Sequence, residues 1–120
     1  MKYFQMKDIL LSISDPVEKL EMVMEFGKTL EQMPVNADCK EMSGCMSLVK
    51  MCKVGDRFYG TADSSMVRGI VAIILAMVQD KTIHEIKSMD LHGEFAQLDI
   101  NLGASRMNGV NSILGFFENL

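Results

Sequence analysis

Residues 46–79 read MSLVKMCKVGDRFYGTADSSMVRGIVAIILAMVQ, and this stretch decides the fold. Met46 to Val54 carries no helical period and is bounded by Gly44 and Gly55, so it reads as a strand. Gly55-Asp56 is a type II′ hairpin signal, because the first central position needs a positive φ that glycine adopts freely. Arg57 to Thr61 is then the returning strand. Asp63, Ser64 and Ser65 each offer a helix N-cap. From Ser65 to Gln79 the chain is apolar nearly all round, through Met66, Val67, Ile70, Val71, Ile73, Ile74, Leu75, Met77 and Val78. A helix without a polar face belongs in a core, so a sheet with a central buried helix is expected.

Working outward, helices flank this unit. Met6, Ile9, Leu10 and Ile13 fall at helical spacing, which predicts a first helix over Tyr3 to Ile13. A second starts at Asp15-Pro16, with Asp15 as N-cap, Pro16 in the first turn and Glu18 completing a capping box. Val17, Leu20, Met24, Gly27 and Leu30 share one face as far as Glu31, and Pro34 ends the segment. Pro34 to Gly44 reads as mixed and partly extended. Downstream, Thr82 to Ser88 is a short helix with a Thr82/Glu85 box, and another begins near Asp90 and includes Phe95 and Leu98. Ser105 is expected to cap a last helix in which Val110, Ile113, Leu114 and Phe117 line up.

This order gives an α+β fold: a small antiparallel sheet of about three strands packed against several helices, over one domain spanning 1–120. A dinucleotide-binding fold is excluded, since there is no run of alternating βα units and no glycine-rich phosphate loop. The chain has 120 residues, 48% of them hydrophobic, enough for one core. A formal net charge of −4 with scattered Lys and Arg argues against a nucleic-acid partner. The N-terminus lacks the apolar core of a signal peptide. The run Gly69 to Val78 falls well short of the about 17–25 residues that span a bilayer. A soluble, cytoplasmic protein without a membrane partner is expected. The twelve methionines read as adaptable core filler.

Chemistry narrows to the cysteines. Serine-hydrolase elbows are absent, and no carboxylate pair stands out among sixteen acids. Cys39, Cys45 and Cys52 are an odd number in a chain without a secretory signal, so no disulfide framework is expected. They lack the close C-x₂-C spacing that announces zinc. A metal site using Cys39, Cys45 and Cys52, joined in space by His84 or His92, stays open as the alternative. Cys52 lies mid-strand, shares strand parity with Met46, Leu48 and Val54, and reads as structural. Cys39 sits in the irregular polar stretch Asp38-Cys39-Lys40-Glu41. Cys45 differs: it follows Gly44, is flanked by Ser43 and Ser47, and falls where a loop presents a side chain rather than burying it.

Three motifs then acquire meaning together. Ser43-Gly44-Cys45-Met46-Ser47-Leu48-Val49, Gly60-Thr61-Ala62-Asp63-Ser64-Ser65-Met66-Val67-Arg68-Gly69 and Ser105-Arg106-Met107-Asn108-Gly109 resemble the SufE family of sulfur-acceptor proteins. The resemblance runs from the Asp15-Pro16 helix to the last helix and implies a SufE/IscU-like fold. It also implies a non-enzymatic accessory protein that takes persulfide sulfur onto Cys45 and stimulates a SufS-type cysteine desulfurase. That desulfurase carries pyridoxal phosphate; the acceptor itself needs no cofactor, and its sulfur passes to a downstream iron–sulfur scaffold. The resemblance maps Arg106 and Asp63 onto family positions. Arg106 would set the electrostatics near Cys45, or serve as an ion-pair or packing residue. Asp63 would shape the same region or the docking surface, or simply cap a helix. Three positions depart from the pattern: Lys50 replaces a tryptophan, Thr61 an aspartate and Ala104 a proline.

Overall fold

The computed structural model describes residues 1–35, 37–43 and 48–120, and of Ser43 the backbone alone. The chain runs α1 (Tyr3–Ser12), α2 (Pro16–Gly27), β1 (Asp38–Ser43), β2 (Leu48–Val54), β3 (Arg57–Ala62), α3 (Ser65–Val78), α4 (Ile83–Ser88), α5 (Leu91–Ala96) and α6 (Ala104–Glu118). The strands form one antiparallel sheet in the order β1-β2-β3. This is the α+β fold expected from the sequence.

The β2–β3 hairpin closes with Val54 opposite Arg57, and Gly55 takes φ 60° as its turn requires. Alternation then sorts the side chains. Val49 and Met51 of β2 and Phe58 and Ala62 of β3 enter the core, and Met42 of β1 packs against it. The shared parity of Cys52, Leu48 and Val54 holds, but their face is the outer one rather than the core face. Leu48 and Val54, at 49% and 45% exposure, lie on the outer face with Lys50 and Cys52. Cys52 is nonetheless fully buried, for a reason given below.

β1 is the strand that composition concealed. Asp38, Cys39, Lys40, Glu41 and Met42 show no apolar alternation because β1 is an edge with water on most sides. Charged residues suit such an edge, since they discourage pairing with other chains. The opposite edge is capped by a side chain. The Gln79 amide accepts from the Phe58 N–H (2.9 Å) and donates to the Phe58 carbonyl (2.9 Å).

Helix α3 fills the centre, as its apolar circumference predicts. Ser64 is its N-cap, accepting from the Val67 N–H at 3.2 Å. Helix α2 crosses α3 at backbone contact: a Cβ on Gly69 would lie 1.9 Å from the Val23 carbonyl oxygen. Leu20, Met24 and Leu30 of the expected α2 face pack against the core, but the buried stripe is shifted towards Val23. Lys19, Val23 and Phe26 are buried, while Val17 is 63% exposed. The helix also stops at Gly27, short of Glu31. Asp15 caps it by accepting from the N–H groups of Val17 (2.8 Å) and Glu18 (3.5 Å). The buried Lys19 ammonium donates to the carbonyls of Leu98 (3.1 Å) and Asp99 (3.3 Å), tying α2 to the segment before α6.

The remaining helices close the core. Met6 and Leu10 of α1 are buried, and the Tyr3 hydroxyl (2.7 Å) and Lys7 ammonium (2.9 Å) both donate to Glu94 of α5. Thr82 and Glu85 form the expected box on α4, and Asp90 caps α5 through the Gly93 N–H. The cap of α6 is a correction. Gly103, at φ 79°, is the N-cap, and Ser105 lies inside the first turn. A positive φ turns the chain into the helix here, which glycine permits without a side-chain cap. Phe117 of α6 meets Phe58 of β3 edge to face at 5.2 Å. Among the described residues no helix is long and apolar enough to cross a membrane.

Candidate functional site

Antiparallel pairing places Ser43 opposite Leu48, so residues 44–47 join β1 to β2. Cys45, the principal candidate of the sequence, belongs to that connection and lies outside the described residues. The arms on either side of it are described, and they are anchored differently.

The β2 arm is clasped by Asp63. Its carboxylate Oδ1 accepts from the Leu48 N–H (3.0 Å), and its own N–H donates to the Leu48 carbonyl (3.3 Å). Because Ser64 serves as the N-cap of α3, the Asp63 side chain turns to the start of β2. The second motif is thus bonded to the first, three residues beyond Cys45. Arg106 stands in the first turn of α6, exposed to solvent and without an ion pair among the described residues. Within the same motif Gly109 is buried and Asn108 is exposed. Lys50, at the position of the expected tryptophan, is exposed on the outer face of β2 opposite Glu41 and Thr61. An aromatic ring there would face solvent rather than the core.

The β1 arm carries a feature that sequence reasoning missed. Cys39 and Cys52 are register partners with Cα atoms 4.1 Å apart, and their sulfurs form a disulfide of 2.00 Å. The expectation of unpaired thiols is overturned. The odd cysteine count and the polar look of β1 concealed the pair. Pairing of Ser43 with Leu48 sets residue 39 opposite residue 52, and the register of β1 would have revealed it. Cys52 is buried although it points away from the core, and the bond to half-buried Cys39 covers it. Bonded in this way, neither sulfur is available as a thiolate ligand, so the metal site built on Cys39, Cys45 and Cys52 loses two of its donors. His84 and His92 are exposed on α4 and α5, with His92 3.3 Å from Glu118. Among the described residues no cluster of three metal-ligating side chains occurs.

A family model, the SufE Fe-S metabolism associated domain, matches residues 5–119. The chain belongs to the SufE family. Among its SufE relatives is an uncharacterised SufE-like protein of Rhizobium meliloti, 32% identical over 81% of this chain and 78% of its own length. The sulfur acceptor protein CsdE of Escherichia coli is 30% identical over 80% of this chain and 71% of its own. The cysteine desulfuration protein SufE of Wigglesworthia glossinidia brevipalpis is 28% identical over 84% and 76%. Two of these names concern sulfur handling, which is the chemistry the first motif of this SufE-family chain suggests.

Proposed function

We propose that this protein accepts sulfur from a cysteine desulfurase on Cys45 and hands it on for iron–sulfur cluster assembly. The observation that carries the reading is that, of three cysteines, two are bonded to each other, which leaves Cys45 as the cysteine outside that bond. It is also the cysteine of the family motif. The names of the two sulfur-handling relatives support the same chemistry.

The step is thiol–persulfide exchange. The Cys45 thiolate attacks the terminal sulfur of the donor's cysteine persulfide. The donor's S–S bond breaks, its cysteine leaves as a thiolate, and the new S–S bond is on Cys45. No electrons enter or leave, so the acceptor needs no cofactor; pyridoxal phosphate belongs to a SufS-type donor. The protein is then an accessory carrier that frees the desulfurase for another turnover. Its place is the cytoplasm, with an iron–sulfur scaffold downstream.

Asp63 holds the start of β2 and thereby one end of the Cys45 connection, acting as a positioning residue. Arg106 supplies an exposed positive charge that favours a thiolate or an acidic partner surface. Incubation with a desulfurase and cysteine, followed by intact-mass analysis, should add one sulfur to the wild-type chain. Cys45→Ala should take up none and should stop stimulating the desulfurase.

A further inference from the structure

Strand β1 is attached less securely than its neighbours. β2 sends Val49 and Met51 into the core and β3 sends Phe58 and Ala62, whereas none of residues 38–42 in β1 is fully buried. β1 is an edge, paired on one side only. Among the described residues its fastenings include the ladder to β2, the packing of Met42, contact with α6 and the Cys39–Cys52 bond. The β2 arm has the Asp63 clasp in addition to its buried side chains.

We propose that Cys39–Cys52 is a thiol–disulfide exchange site whose redox state sets how firmly β1 is fastened to β2. Direct register brings the two Cα atoms to 4.1 Å, so the bond opens and recloses within a folded hairpin. Burial gives the exchange a direction. Cys52 has no exposed surface, while Cys39 is half-buried at the edge, so an incoming thiolate reaches the Cys39 sulfur.

The co-reactant is a dithiol reductant. One of its thiolates attacks Cys39 Sγ, the protein S–S bond breaks, and the electron pair leaves on Cys52 Sγ, which takes a proton. The second thiol of the reductant then displaces Cys39. One disulfide is consumed and one is formed, leaving two protein thiols. The importance of the site rests on the acceptor reading, because β1 leads directly into the residues that carry Cys45.

The test uses the full chain with Cys45→Ser, so that Cys39 and Cys52 are its remaining cysteines, and it includes no desulfurase. Its failure is therefore distinct from failure of the acceptor reading. Oxidised protein should show no alkylatable thiol, and brief treatment with a dithiol under native conditions should release two. Amide exchange across residues 38–43 should then quicken by about tenfold or more, with β3 unchanged. Adding Cys39→Ser, a change at a half-exposed edge position, should produce the same fast exchange without reductant. Thiols that stay protected until the protein unfolds would overturn the proposal. So would equal β1 exchange in the oxidised, reduced and Cys39→Ser forms.

Discussion

Replacing Asp63 by alanine should loosen the start of β2 without unfolding the domain. Among the described residues, the bond lost runs from the Leu48 N–H to a carboxylate oxygen at 3.0 Å. Hydrogen bonds to charged groups contribute about 1.5–3 kcal/mol net, and Asp63 is exposed, so the lower end applies. A loss of about 1.5 kcal/mol raises local opening by about tenfold. Amide exchange at Leu48 should quicken by that factor, while Met51, deep in the strand, should change little. Asp63→Asn keeps a neutral acceptor and should recover about half of the effect. Sulfur uptake at Cys45 should fall several-fold in the alanine variant and less in the asparagine variant. Unchanged Leu48 exchange in Asp63→Ala would refute the clasp. Equal effects of Ala and Asn would refute the role of the acceptor oxygen.

Two further expectations concern the scaffold. Gly69→Ala would place a methyl group 1.9 Å from the Val23 carbonyl oxygen, so α2 and α3 must separate. Thermal unfolding should show a loss of about 3 kcal/mol, at the upper end for overpacking. Glu94 is held below the usual carboxylate range by its bonds to Lys7 and then Tyr3, with burial opposing. A depressed folded value adds stability above the unfolded pKa of about 4.3, which is lost as pH falls through the folded value. The gap in melting temperature between wild type and Glu94→Gln should therefore be full at neutral pH and shrink below about pH 4; a gap constant down to pH 2 would contradict this.

How much of this was legible in the sequence depends on what each residue faces. The β2–β3 hairpin was readable because Gly55 marks its turn, and α3 because a helix apolar on every side has one place to go. The caps at Asp15, Ser64 and Thr82 act within a few residues and were visible for that reason. The face of α2 was legible only in part: Leu20, Met24 and Leu30 pack on the core as their spacing implies, but the burial of Val23 follows from its contact with Gly69, between distant segments. β1 was readable only as part of a partly extended stretch, because an edge needs no apolar alternation, and without its register the Cys39–Cys52 pair went unseen. At the site, the motif order pointed to Cys45 and Asp63, but the bond from Asp63 to Leu48 spans fifteen residues and needed the fold to appear.

The central claim is that Cys45 carries the sulfur. The most direct measurement mixes the purified protein with a pyridoxal-phosphate cysteine desulfurase and cysteine, alkylates without reductant, and maps the peptides by mass. The account predicts one extra sulfur on the peptide containing Cys45, and none on any peptide of the Cys45→Ala variant. Extra sulfur on Cys39 or Cys52 would contradict it, as would desulfurase stimulation undiminished by Cys45→Ala.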